Sequence, residues 1–286
     1  MSFWNNLQYR YATFSIAEKI ILLNVICFVL PMLVNVIFFL FNVPSTTYLN
    51  WVQLSPNVST FITRPWTIVS YSFLHSGFFD LLWNMVVLFF SGGLFINLFT
   101  DRIFINNYFL GVIAGGFIFI GSYALFPAFK GTYPPMIGAS AGVMAVFIFI
   151  CTYTPDQEIR FFFINLKLKY LGLAFFFIDV IQIPYGNAGG HLAHIGGAVL
   201  GFAYARQLGQ GRDIGSGFEK IWRWIFIRKD LKTVYRATKR KSTASNKAPA
   251  SDHQSKIDEI LDKISKSGYD SLSNEEKDFL FRAGKE

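Results

Sequence analysis

Six polar side chains stand in stretches that are otherwise apolar: Asp80, Asn84, Ser140, Asp179, His191 and His194. Such groups are costly at bilayer depth, about 2.5–3.5 kcal/mol for Asp on insertion scales, and are therefore functional candidates by default. Ser140 lies in Gly138-Ala139-Ser140-Ala141-Gly142, just after Pro134-Pro135. A proline pair is a poor place to continue a helix and a good place before one begins. The pattern therefore predicts Ser140 in the first turn of a helix, where unpaired backbone N–H groups and the positive end of the helix dipole face it. That environment suits an oxyanion. Taken alone, the same run also reads as a small-residue patch for packing membrane helices.

A partner for the serine lies further along the chain. In His191-Leu192-Ala193-His194-Ile195-Gly196-Gly197, followed by Gly201, the positions His194, Gly197 and Gly201 fall at i, i+3 and i+7. One helical face then presents an imidazole and two glycines that permit close helix approach, close enough for His194 to reach a serine on the facing helix. His191, one turn from His194, reads as a satisfied core histidine. The pair would also suit a metal, with His75 or Asp80 as further ligands, but neither paired cysteines nor His-Glu-x-x-His spacing accompanies it. No metal and no cofactor is expected. Asp179 has no evident role beyond a partner on a neighbouring span.

The elements that position these groups are membrane spans. A soluble chain would carry roughly 25% charged residues, whereas this one has 15% charged, 52% hydrophobic and 33 phenylalanines among 286 residues. From Arg206 onward lie 18 of the 26 basic and 12 of the 18 acidic residues, so the first two-thirds is almost uncharged and the last third is polar. Apolar runs mark spans at Ile20–Phe41, Ser70–Phe99, Tyr108–Phe126, Met136–Tyr153 and Lys169–Ile183, with a short, Gly-rich sixth at His191–Ala205. The first run is too long for a cleavable signal, and Asn42-Val43-Pro44 offers no cleavage site, so it reads as a retained span. Arg10, Lys19, Arg102, Arg160, Lys167 and Lys169 fall on one side, while the other side holds only Arg64 and Lys130. The positive-inside rule then places both ends in the cytoplasm. Cys27 and Cys151 sit in apolar runs and give no disulfide framework.

The order and spacing of these motifs resemble the rhomboid protease family over about residues 15 to 208. The resemblance rests on Phe73-Leu74-His75 through Asp80 to Trp83-Asn84-Met85, on Gly92-Gly93, on Gly138-Ala139-Ser140, and on Ala193-His194-Ile195-Gly196-Gly197 with Gly201. It implies an all-α polytopic fold, a six-transmembrane-helix bundle, working as an intramembrane serine endopeptidase. Ser140 would be the nucleophile, His194 the general base and then acid, and Asn84 with the Ser140 N–H the oxyanion hole, supported by His75, Gly138, His191, Gly197 and Gly201. The family uses a Ser–His dyad and needs no orienting carboxylate. Substrates would be single-span membrane proteins, and the setting a bacterial plasma membrane. This chain departs from the family at Asp80, where a histidine is frequent, at Ala141, at Met144 and at Thr67. Asp80 lies one turn before Asn84 and is a further candidate for the oxyanion hole, as a neutral acid that donates a hydrogen bond. The opposite reading is that Asp80 caps or hydrates the outer loop.

The organisation expected is a membrane domain over 1–208, a basic cytoplasmic linker over 209–251 and a small helical hairpin over 252–286. The linker holds 12 basic and 3 acidic residues between Arg206 and Lys247, which reads as an interfacial segment against anionic lipid rather than a nucleic-acid site. Residues 242–251 read as flexible. In the tail, Ile257, Ile260, Leu261 and Ile264 have helical spacing, Gly268 stands at a C-cap, and Ser273 with Glu276 has capping-box spacing. Two rival functions differ in class. A rhomboid-like protein that only binds transmembrane helices would typically lack the serine or the histidine, and a transporter would need a polar lining in several spans.

Overall fold

The computed structural model describes residues 3–42, 49–161, 164–226 and 252–283. In the first of two compact units the helices are α1 (Phe3–Thr13), α2 (Ile16–Leu40), α3 (Val58–Thr63), α4 (Thr67–Ser70), α5 (Phe78–Leu98), α6 (Asp101–Leu125), α7 (Ser140–Tyr153), α8 (Leu168–Gln182), α9 (Ala188–Gly209) and α10 (Gly215–Phe226). A short antiparallel hairpin, β1 (Glu158–Phe161) and β2 (Ile164–Lys167), joins α7 to α8. Among the described residues, four helices are long and apolar enough to cross a bilayer: Ile16–Leu40, Phe78–Leu98, Asp101–Leu125 and Leu168–Tyr185. The protein is a membrane protein. α7 is apolar but has only 14 residues, and α9 is diluted by glycine, histidine and alanine.

Two expected spans begin later than hydropathy suggests, each for a local reason. The apolar run from Ser70 does not continue as one helix. It passes through a 3-10 turn at Tyr71–Phe73 and an extended Leu74, and α5 starts only at Phe78 behind Gly77. Asp80, in the first turn of α5, accepts from the Ser76 backbone N–H and hydroxyl, each at 3.0 Å. It thereby ties down the entering chain and complements the helix dipole. The run from Met136 likewise stays outside the helix until Ser140. Met136 pairs with Leu54 through two backbone bonds of 2.8 and 3.0 Å, and the Gly138 N–H donates to the Tyr71 carbonyl at 3.1 Å. Gly138 sits at φ +130°, a conformation a side chain would strain. The Tyr71 hydroxyl, fully buried, donates to the Val112 carbonyl at 2.8 Å and so fixes this loop on α6.

The centre of the bundle is a small-residue contact among α6, α7 and α9. A Cβ on Gly197 would lie 2.0 Å from the Ala141 carbonyl oxygen, and one on Gly201 2.2 Å from that of Ala145. On the other side of α7, a Cβ on Gly115 would meet the Ala141 methyl at 2.5 Å, and one on Gly111 the Ala145 methyl at 2.3 Å. Ala141 and Ala145 are thus each held between two glycines, one turn apart, on two different helices. This is backbone-to-backbone packing, the association mode favoured where lipid removes the hydrophobic drive between helices. α2 joins more loosely, with Ala17 against Gly92 and most of its surface facing outward.

The first unit also continues past the boundary expected at 208. α9 runs to Gly209, and α10 is joined to α6 and α9 by polar contacts at its start. Tyr204 donates to Asp213 at 2.6 Å, and Arg102 pairs with both Asp213 (3.5 Å) and Glu219 (2.5 Å). Residues 209–226 therefore carry a docked helix rather than free chain, while the flexible stretch expected at 242–251 lies outside the described residues. The second unit contains α11 (Asp252–Ser267) and α12 (Asn274–Ala283). Its expected cap is present: the Ser273 N–H donates to Glu276 Oε2 at 2.7 Å, and the Glu276 N–H to Ser273 Oγ at 3.2 Å. Gly268 has φ +78°, Lys263 reaches Glu276 at 2.8 Å, and Ile260 and Leu272 are its buried apolar pair.

The glycine contacts give a direct test. Gly201→Ala pushes a methyl into the α7 backbone and should destabilise the bundle by about 1–3 kcal/mol, the usual range for overpacking. Gly93→Ala in α5 meets nothing within 4 Å and should be neutral or stabilising by up to ~1 kcal/mol through helix propensity. Thermal unfolding of the two variants in detergent should separate them in that order.

Candidate active site

Ser140 is the first residue of α7, behind Ala139 in the cap position. The first intrahelical bond there runs from the Val143 N–H to the Ala139 carbonyl at 3.1 Å. The N–H groups of Ser140, Ala141 and Gly142 come before it and have no carbonyl one turn back. The expected location of Ser140, in the first turn of its helix, matches what the structure shows.

The glycine ladder sets the distance to α9. With Gly197 seated on the Ala141 backbone, the residue one turn earlier on α9 faces the residue just before Ala141 on α7. That residue is His194, and its Nε2 lies 2.6 Å from Ser140 Oγ. Its other ring nitrogen, Nδ1, lies 2.8 Å from Asp179 Oδ1 on α8. His191 Nδ1 approaches the same oxygen, also at 2.8 Å. Asp179 is 6% exposed. An ionised carboxylate can only accept, so both imidazoles donate through Nδ1, and His194 Nε2 is left to accept from the serine hydroxyl.

Asp179 is the residue that sequence reasoning left without a role. Its only signal was being the sole ionisable side chain between Tyr170 and Tyr185. Which histidine it would meet depends on the rotation of α8 against α9, and no periodicity in either helix states that. His191 is satisfied by the same carboxylate. One ligand atom from each of Asp179, His191 and His194 falls within 4.8 Å of the others, a grouping that could hold a cation. Their two N···O separations of 2.8 Å are shorter than the ~3.3 Å edge of a tetrahedral zinc site with ~2.0 Å bonds. They are the lengths of charge-assisted hydrogen bonds. His75 and Asp80 are not in this cluster.

On α5, Asn84 is buried and lines the same cleft as Ser140 and His194. Its Nδ2 donates to the Asp80 carbonyl at 2.8 Å and to Asp80 Oδ1 at 2.9 Å. Both oxygens of Asp80 are thus acceptors, one from Asn84 and the other from Ser76. In this arrangement Asp80 caps the start of α5 and orients Asn84, the second of the two roles expected for it. His75 sits in the loop before α5, where burial holds its imidazole below the ordinary histidine range and the nearby Asp80 partly opposes that shift. Gly138 lies beside the serine, its virtual Cβ 3.5 Å from Ser140 Oγ.

The cleft has a volume of about 470 Å³ and lies between α5 and α8, with α7 as its floor. Its wall is almost wholly apolar, including Trp83, Val87, Phe90, Met144, Phe147 and Phe175. Ser140, Asn84, Asp179 and His194 stand at one end, and Ile159 and Arg160 of the β-hairpin at the other. A serine hydroxyl paired with an imidazole at a helix N-terminus can be activated as a nucleophile, with backbone N–H groups beside it that could meet an oxyanion.

The rhomboid domain family model matches residues 63–211, a stretch that begins at the last residue of α3 and ends just past α9. A second model, described as a family of unknown function, DUF6576, matches residues 246–285. Curated relatives include the presenilin-associated rhomboid-like protein, mitochondrial, of Homo sapiens and that of Pongo abelii, each 27% identical over 77% of this chain and 52% of the relative. The Mus musculus protein of the same name is 27% identical over 65% of this chain and 47% of the relative. The chain therefore spans about half the length of the curated relatives it matches. With a family model covering more than half of its residues, site included, the chain belongs to the rhomboid family.

Proposed function

We propose that the chain is an intramembrane serine endopeptidase that cleaves single-span membrane proteins with Ser140 as nucleophile and His194 as general base. The observation that carries this reading is the 2.6 Å approach of His194 Nε2 to Ser140 Oγ at the N-terminus of α7, open to an apolar cleft. A small-residue packing patch alone accounts for neither feature. As Ser140 Oγ attacks the scissile carbonyl, its proton passes to His194 Nε2. The oxyanion is met by the Ser140 N–H and, once it exchanges one of its bonds to Asp80, by the Asn84 amide. His194 then gives its proton to the departing amine, and a water repeats the sequence to release the acyl group.

The topology proposed has six spans, α2, α5, α6, α7, α8 and α9, with both ends on the cytoplasmic side of a bacterial plasma membrane. The supporting charges are Arg10, Lys19, Arg102, Arg160, Lys167 and Lys169 on that side, with the basic stretch after α9. α7 rises only about 21 Å at 1.5 Å per residue, against a hydrocarbon thickness of about 30 Å. Its C-terminal end leads into the polar run Thr154-Pro155-Asp156-Gln157-Glu158. Its N-terminal end, and Ser140 with it, then lies below the opposite face. Cleavage would occur some way inside the bilayer, at a place where a substrate helix unwinds. The basic stretch after α9 meets anionic lipid, and no nucleic acid is needed to explain it.

Ser140→Ala and His194→Ala should each abolish cleavage of a co-expressed single-span substrate. Labelling of purified protein by a fluorophosphonate should be lost with Ser140→Ala. Wild type that binds a model substrate intact and never labels would instead make this a helix-binding protein. Asn84→Ala should lose ~10²–10³ in rate as a main oxyanion donor, and a loss below about threefold would leave Asn84 a structural residue. Truncation after Ser251 should leave proteolysis by the purified enzyme intact, since the tail forms its own compact unit; loss of cleavage there would make the hairpin part of the enzyme.

A further inference from the structure

A buried carboxylate in the middle of an apolar helix needs an explanation. Between Tyr170 and Tyr185 the only ionisable side chain is Asp179, with just 6% of its surface exposed. Placing an Asp at bilayer depth costs about 2.5–3.5 kcal/mol, which an apolar residue of similar size would avoid. Packing is therefore a poor reason for it. Its carboxylate does one thing among the described residues: Oδ1 receives the Nδ1–H of His194 and the Nδ1–H of His191, both at 2.8 Å.

Resting on the protease reading above, we propose that Asp179 is a positioning residue that completes a Ser140–His194–Asp179 relay. A neutral imidazole carries its one proton on either nitrogen. In the active arrangement Nε2 must be bare, so the proton must sit on Nδ1. Asp179 Oδ1 fixes it there, and the 2.6 Å contact from Nε2 to Ser140 Oγ is then a bond that the serine hydroxyl donates. When the Oγ–carbon bond forms, the serine proton moves to Nε2, and the resulting imidazolium keeps its Nδ1–H on the carboxylate. Asp179 stays ionised throughout and stabilises that positive charge. The proton leaves His194 again when the carbon–nitrogen bond breaks and the amine takes it. Nothing beyond the enzyme, the peptide and water is needed for balance.

The test uses full-length protein in detergent, with kcat, KM and fluorophosphonate labelling rate measured for wild type, Asp179→Asn, Asp179→Ala and Asp179→Glu. Asparagine keeps the shape of Asp179, but its amide N–H would donate to Nδ1 and drive the proton to Nε2, the wrong tautomer. Asp179→Asn and Asp179→Ala should lose kcat by ~10²–10⁴ with little change in KM, as expected when an orienting carboxylate is lost. Asp179→Glu, which restores a carboxylate, should recover part of that loss. A merely structural role would lower the unfolding temperature and would not make the glutamate variant faster than the asparagine one. Should Asp179→Ala fail to fold, the comparison of Asp179→Asn with Asp179→Glu still decides. Unchanged kcat in Asp179→Asn, or a glutamate variant no faster than the asparagine one, with Ser140→Ala and His194→Ala inactive, would overturn this inference and leave a dyad protease. Cleavage by Ser140→Ala would instead remove the protease reading itself.

Discussion

The site depends on how closely two helix backbones can approach. A serine hydroxyl and an imidazole meet at 2.6 Å only because Gly197 and Gly201 of α9 lie directly on the carbonyls of Ala141 and Ala145 in α7. Lipid offers apolar helices no drive to associate, so contact area and backbone proximity must supply it. The residues that permit the closest approach are also those that set the register of α9 against α7. Ala141 follows Ser140 and Gly197 lies one turn after His194, so the packing contact and the chemical contact are one turn of the same interface. Gly111 and Gly115 repeat the arrangement from α6. α7 is thereby held from two sides and buried along most of its length.

Around that rigid pair, a few polar side chains are tied to one another or to the backbone. Asp179 serves two histidines. Asp80 serves Ser76 at the start of α5 and Asn84 one turn further in. Tyr71 holds the loop before α5 to α6, and the carbonyl of Tyr71 in turn holds Gly138 beside the serine. The loop that precedes α5 and the segment that precedes α7 are thus one connected unit, which includes the Leu54–Met136 bridge.

Much of this was legible beforehand, for identifiable reasons. Helix period and glycine spacing put His194, Gly197 and Gly201 on one face, and Pro134-Pro135 placed Ser140 at a helix start; both follow from local rules that the bilayer leaves intact. The tail was equally readable, because Ser273-x-x-Glu276 and Gly268 are short-range signals. Hydropathy failed where an apolar segment is not helical. Ser70–Leu74 and Met136–Ala139 are apolar enough to join a span, yet hydrogen bonds to distant residues hold them in turn and extended conformations. The β-hairpin at Glu158–Lys167 was missed because its charges read simply as a loop. At Asp80 two roles stayed open because helix spacing gives the face a residue occupies and not which of its atoms are already engaged.

Asp179 marks the deeper limit. Sequence spacing can place two residues on one helix face, but the triangle of Asp179, His191 and His194 joins two helices whose relative rotation is decided by side-chain packing along their whole length. The clue that did exist was energetic. An ionisable residue retained in an apolar span must gain more from its partners than its insertion costs, and the donors that satisfy a carboxylate without a formal positive charge are few. The two histidines of α9 supply those donors, each with Nδ1 at 2.8 Å from Asp179 Oδ1, and the contact then dictates which imidazole nitrogen carries the proton. A buried charge in an apolar helix is thus informative about the protonation state of its neighbour, which hydropathy and motif spacing cannot supply.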